Sequence, residues 1–296
     1  MKLSKQEREQ KKIEEEKNWE KYWFDPEISN TSHKIIIGDN RNLKIIKSNS
    51  IHLIVTSPPY FNAKDYSQWP NLKEYLKDMK KSFKQCLRIL VPGRKFCLNI
   101  SDLPEKGDYG VKWNPLGSEL LQVAQSLGFE LCDRIIWFKT PIKGFQYGSL
   151  PYPPSPLICD SMEYIYIFRK PGKNNYTHLN KKQKEASKLK RDEYAEFTKQ
   201  IWTIPRVRRK DNMDGHIAPF PDELAHRCIK LYSFVGETIF DPFGGSGTTT
   251  KMAIQNKRNS ILCEIKNEYL THIKKKIGLD QKELFNNTKI DILHEK

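Results

Sequence analysis

From residue 34 onward the chain predicts an α/β fold, with a doubly wound, mostly parallel sheet and an inserted basic region. Three observations carry that prediction. Short apolar runs alternate with stretches of helical spacing. A glycine-rich turn, Asp241-Pro-Phe-Gly-Gly-Ser-Gly-Thr-Thr249, follows one such run and opens a helix. Residues 140–210 interrupt the rhythm and hold 15 Lys/Arg against 6 Asp/Glu, which is +9 of the net +15.

The elements follow in order. Residues 1–24 read as a charged helix ending in the aromatic cluster Trp19, Tyr22, Trp23 and Phe24, suited to docking on the body or to a dimer contact. Ile35-Ile-Ile37, ending at Gly38-Asp39, and Leu53-Ile-Val55, ending at Thr56, read as strands. Leu72, Tyr75, Leu76, Met79, Phe83 and Leu87 keep helical spacing up to the breaker Val91-Pro92-Gly93. Phe96 to Ile100 is a strand, Leu116 to Leu127 a helix and Arg134 to Phe138 a strand. Leu150-Pro-Tyr-Pro-Pro-Ser-Pro156 is extended or turn-rich. Glu163 to Phe168 fits one more strand, but 140–210 as a whole is expected to leave the sheet. Pro221-Asp-Glu starts a helix, with Pro in the first turn and acids near the positive end of the dipole. Thr238-Ile-Phe240, the helix from Thr249 to Gln255, and Ser260 to Cys263 ending at Glu264 complete the pattern.

The bulk numbers bound the class. The chain has 296 residues, 38% of them hydrophobic, enough for one large core. No apolar run approaches the roughly 18 residues of a membrane span. The Lys/Glu mixture at the start predicts no secretory signal. Six scattered cysteines without a C-x-x-C pair suggest neither zinc nor disulfides and fit a reducing cytoplasm. A pI near 9.4 points to a polyanionic partner or to a Lys-rich bias of the proteome, and the concentration of charge in 140–210 argues for the first.

Two motifs carry chemistry. In the strand–loop–helix unit, Gly244, Gly245 and Gly247 allow a tight turn and close approach to a ligand. Glu264 lies 20 residues after Gly244, at the end of the next strand, where an acid binds ribose hydroxyls in nucleotide folds. A phosphate loop is excluded because no Gly-Lys-Ser/Thr follows. The second motif is Ser57-Pro58-Pro59-Tyr60, at the carboxyl end of a buried strand. Two prolines fix the backbone and remove two N–H donors. The Ser57 hydroxyl and Pro58 carbonyl remain as acceptors for an exocyclic amino group, whose lone pair gains nucleophilicity as its nitrogen pyramidalises. The Tyr60 ring suits stacking on an extruded base. A plain proline turn after a strand is the other reading of this run.

Together, in this order, the motifs resemble the β group of amino-DNA methyltransferases, over roughly residues 33–275. The resemblance implies a methyltransferase fold in circularly permuted motif order, binding S-adenosyl-L-methionine through Asp241, Pro242, Phe243, Gly244, Gly245, Ser246, Gly247, Thr248, Thr249 and Glu264. It places Asp39 near the cofactor adenine and His216, Ala218, Pro219 and Phe220 along its methionine end. It makes 140–210 the target-recognition region of a duplex-DNA enzyme, with Arg206, Arg208, Arg209 and Lys210 as DNA contacts. Residues 1–32 become an extension, 33–139 the catalytic half and 211–296 the cofactor half. Ser at position 57, where adenine-N6 members mostly carry Asp, implies cytosine N4. Cytosine C5 chemistry needs a Pro-Cys pair, and no cysteine here follows a proline. The family's usual setting implies a cognate restriction endonuclease; the absence of a long apolar run predicts no membrane partner, a sulfonium that is already activated needs no metal, and monomer and homodimer stay open. Adenine N6, an RNA or protein substrate, and DNA binding without catalysis are the alternatives.

Overall fold

A computed structural model describes residues 4–63, 68–108, 110–140, 158, 160–207, 219–279 and 288–294. Helix α1 (Lys5–Trp23) precedes strands β1 (Thr31–Ile37) and β2 (Ile51–Thr56), then α2 (Leu72–Ile89) and β3 (Leu90–Ile100). A hairpin, β4 (Leu103–Gly107) and β5 (Gly110–Asn114), leads to α3 (Leu116–Ser126) and β6 (Glu130–Thr140). Then come β7 (Met162–Arg169), α4 (Lys181–Ala186), α5 (Arg191–Phe197) and β8 (Ile201–Pro205). The chain continues with α6 (Asp222–Tyr232), β9 (Thr238–Asp241), α7 (Thr248–Gln255), β10 (Asn259–Glu264), α8 (Leu270–Ile277) and β11 (Thr288–His294).

Among the described residues, nine strands form one sheet in the order β11-β1-β10-β9-β2-β3-β7-β6-β8. Its pairs are parallel except β3–β7 and β7–β6, which are antiparallel. Alternation along each strand sorts the apolar residues to two faces. Ile54, Phe96, Leu98, Tyr166, Phe168 and Phe240 pack under α2 and α3. Leu53, Val55, Cys97, Ile165, Ile167 and Ile239 pack under α6 and α7. Ile35, Ile37 and Leu262 extend the second face beneath α8. Both faces are covered, which explains why these strands read as unbroken apolar runs.

One expectation needs refinement. Within 140–210 the expected strand forms as β7 between β3 and β6, but the chain also returns to the sheet through β8, which closes the edge beside β6. Trp202, fully buried on β8, joins the second core and donates its indole N–H to the Phe197 carbonyl. The departing part, among the described residues, is the polar stretch carrying α4 and α5. As expected, the helix stops just before Val91-Pro92-Gly93, at Ile89; the chain passes directly into β3, which starts earlier than Phe96, with a register shift where Ile51 pairs with Leu90 and Leu53 with Lys95. The turn-rich run at 150–156 lies outside the described residues.

The aromatic end of α1 docks on the body. Tyr22 and Trp23 pack on Ile28, Ala186 and Val235, Trp19 stacks on Trp23 at 5.0 Å, and Lys257 lies over the Trp23 ring at 4.9 Å.

Candidate active site

The sheet reverses its winding between β9 and β2. They are neighbours in the sheet, with Leu53 opposite Ile239 and Ile54 opposite Phe240. From β9 the chain runs through α7 to β10, and from β2 through α2 to β3, in opposite directions along the sheet. Ligands of open α/β sheets bind outside the carboxyl ends at such a point. Here those ends are Thr56 and Asp241, with Glu264 of β10 and Gly38-Asp39 after β1 beside them.

The Asp241 carboxylate ties the two strand ends together. It accepts from the Thr56 hydroxyl at 2.6 Å, the Thr249 hydroxyl at 2.7 Å and the Phe243 N–H at 3.1 Å. Burial pushes its pKa up to about 6, against the pull of these donors. Asp241 is therefore a bracket that holds the glycine loop and the start of α7 against β2.

The loop itself is built on backbone geometry. Gly245 and Gly247 take φ of +51° and +86°, and Gly247 caps α7. The Gly244 N–H donates to the Cys263 carbonyl at 2.8 Å, and a Cβ there would clash with the Leu262 side chain. Glu264 accepts from the Gly245 N–H and the Lys266 N–H, each at 2.9 Å, and burial raises its pKa. Ser246 and Thr248 share a hydroxyl contact of 3.2 Å. The Pro242 carbonyl accepts from Asn40 Nδ2 at 2.6 Å, and Phe243 packs on the first core.

Asp39 is gripped by Arg41, whose Nη2 lies 2.7 Å from Oδ2, while Arg41 Nη1 reaches Asp78 at 2.8 Å. Burial works to raise the Asp39 carboxyl, but Arg41 outweighs it and holds it below its ordinary value. Trp69 donates to the same Asp78 at 3.3 Å, which links the chain beyond the proline turn to this pair. Pro219 is half-buried, and Phe220 is buried among the second core. His216 and Ala218 lie outside the described residues.

In the proline turn, Pro58 is buried, and Ser57, Pro59 and Tyr60 are partly so. The Ser57 hydroxyl donates to Tyr60 Oη at 3.3 Å, and Tyr60 donates to Glu163 Oε2 at 2.9 Å. Asn99 Nδ2 donates to the same oxygen at 3.0 Å, and Lys139 Nζ lies 3.5 Å from Oε1. Burial and the Glu163 charge raise the Tyr60 pKa; burial raises that of Glu163, opposed first by Lys139. Sequence reasoning missed Asn99, Lys139 and Glu163 in this role. A polar residue inside the apolar run Phe96 to Ile100 was the available signal.

Arg206 follows β8, its N–H donating to the Thr140 carbonyl at 3.1 Å. Arg208, Arg209 and Lys210 lie outside the described residues. At the opposite, amino-terminal edge, His52, His178 and Glu237 come close enough to hold a metal ion. Glu237 there already pairs with the buried Arg94 and accepts from the Phe234 N–H at 2.8 Å, and His52 Nδ1 accepts from the Thr238 N–H at 3.2 Å.

The profile of the N6/N4 DNA methylase family matches residues 51–275. The chain belongs to that family. Type II methyltransferase M.MjaI of Methanocaldococcus jannaschii is 31% identical, over 89% of this chain and 97% of that protein. TTHA0409 of Thermus thermophilus, assigned as a DNA modification methylase and solved with S-adenosyl-L-methionine, superposes with a TM-score of 0.72 at 28% identity. That match covers 89% of this chain and 99% of the other. The PvuII DNA methyltransferase (cytosine-N4-specific) shares the fold, with a TM-score of 0.63 at 23% identity over 88% of this chain and 96% of the other.

This methylase uses S-adenosyl-L-methionine. The donor set at the switch point fits that group. Glu264 at the end of β10 and Asp39 just after β1 suit a cofactor with ribose hydroxyls and a cationic sulfur, Asp241 holds the loop between them in place, and the positive-φ glycines keep side chains off the loop. Among the described residues, no helix is long and apolar enough to cross a membrane.

Proposed function

We propose that this methylase modifies the exocyclic N4 of a cytosine flipped from duplex DNA at a specific sequence, within a restriction–modification pair. The observation that carries the reading is Ser57 heading the proline turn at the switch point. Its proton is directed to Tyr60, so its lone pairs are left to accept from an amino group. Pro58 contributes a carbonyl acceptor, and the Tyr60 ring offers a stacking face. When bound, S-adenosyl-L-methionine supplies an electrophilic methyl group on sulfur. Ser57 and Pro58 orient the amino lone pair toward it, so positioning supplies much of the rate. The glycine loop and Glu264 seat the cofactor, with Asp39 and the segment at 216–220 completing its site. Region 140–210 reads the target, using Arg206, Arg208, Arg209 and Lys210 on phosphates and base edges.

The test is mass spectrometry of nucleosides from DNA of varied sequence incubated with the protein and S-adenosyl-L-methionine. N4-methylcytosine is the expected product. N6-methyladenine would keep family and cofactor but overturn the base assignment. Absence of any methylated base would move the reading to an RNA substrate or to binding without catalysis.

A further inference from the structure

We propose that Glu163 is the terminal proton acceptor for the amino group methylated at this site, reached through the hydroxyls of Ser57 and Tyr60. The proposal rests on the reading of the site given above, for either base.

The geometry that carries it is the direction of the hydrogen bonds. Ser57 donates to Tyr60, and Tyr60 donates to Glu163, at 3.3 and 2.9 Å. Each hydroxyl thus has its proton on the Glu163 side and a lone pair on the substrate side. A chain ordered this way passes a proton without first turning a hydroxyl. The methylated amino nitrogen is cationic and must lose a proton. Its N–H bond breaks as Ser57 Oγ takes that proton and yields its own to Tyr60 Oη. Tyr60 in turn yields its proton to Glu163 Oε2, where a new O–H bond forms. One cation and one carboxylate are neutralised, and Glu163 later returns the proton to solvent.

The surroundings suit an acceptor. Facing Glu163 are Lys139 from β6, Asp160 from the segment before β7, Tyr60 from the turn after β2, and the neutral Asn99 from β3. Lys139 lies nearer Asp160, at 2.7 Å, than Glu163, at 3.5 Å, so its charge is shared between two carboxylates. Burial raises the Glu163 pKa and makes its neutral form easier to reach. As Glu163 acts through two other groups, it is a positioning residue of the proton path rather than a substrate contact.

The experiment is single-turnover methyl transfer to DNA over a range of pH, with wild type, Glu163→Gln, Tyr60→Phe and the double variant. The wild-type rate should rise with pH through the titration of Glu163 and then level. Glu163→Gln should lose about 10²-fold and that limb of the profile, while binding S-adenosyl-L-methionine as before. Tyr60→Phe should lose the same limb, and the double variant should be no slower than Tyr60→Phe. A wild-type profile in Glu163→Gln overturns the proposal. So does a slower rate with the limb intact, which would mark a structural role. If Glu163→Gln fails to fold, Tyr60→Phe decides on the same readout. If wild type methylates no DNA, the reading of the site falls and the proposal with it.

Discussion

The Thr56 hydroxyl donates to the Asp241 carboxylate at 2.6 Å, joining the last residues of β2 and β9 across 185 positions of sequence. The bond pins the proline turn to the glycine loop. Thr56→Val keeps the shape and removes the donor, leaving a buried carboxylate with one partner fewer. The expected cost is about 1–3 kcal/mol, read by urea unfolding, with weaker S-adenosyl-L-methionine binding. Unchanged stability and affinity would show that the bond holds nothing together.

Ser57→Ala removes the proposed acceptor for the amino group but touches no part of the glycine loop. Methyl transfer should fall by about 10²-fold or more while S-adenosyl-L-methionine still binds. Rate and cofactor affinity measured together check this; equal loss of both would indicate a folding defect.

Gly244→Ala would drive a methyl group into Leu262, which is fully buried. The expected destabilisation is about 1–3 kcal/mol. Leu262→Ala opens the space, so the double variant should be more stable than the sum of the single losses predicts. Additive losses in urea unfolding would refute the clash.

His33 is fully buried between the Ser260 and Thr31 hydroxyls, at 2.7 and 2.9 Å, and burial lowers its pKa to about 4 from 6.5. Between those values the unfolded chain binds the proton and the folded one does not. Stability is therefore present above about 6.5 and lost as pH falls toward 4, by about 3 kcal/mol from this group. An NMR titration should show an imidazole that stays neutral down to about 4, absent in His33→Asn. A His33 midpoint near the ordinary value would sink the argument.

Much of the candidate site was legible because its motifs are local. Gly245 and Gly247 meet a backbone demand that a nine-residue run declares by itself, and Ser57-Pro58-Pro59-Tyr60 sits where an apolar strand ends. Strand β8 was not legible, since Ile201 to Pro205 is short and its neighbour β6 lies far back in sequence. The end of α2 was legible from Val91-Pro92-Gly93, but the early start of β3 and its shifted register against β2 were not, because they depend on a strand distant from those residues.

The sequence by itself determined the fold class, the two motifs and their order, because periodicity, glycine and proline act over a few residues. Tertiary structure alone decided which polar groups meet them. Glu163 reaches Tyr60 because β7 runs antiparallel beside β3, with Ile100 opposite Tyr164, which brings the start of β7 to the carboxyl edge. Trp137 lies opposite Glu163 on β6, and Lys139 follows two residues later. Strand pairing depends on contacts distant in the chain, and no local pattern around Glu163 records which strand will lie beside it.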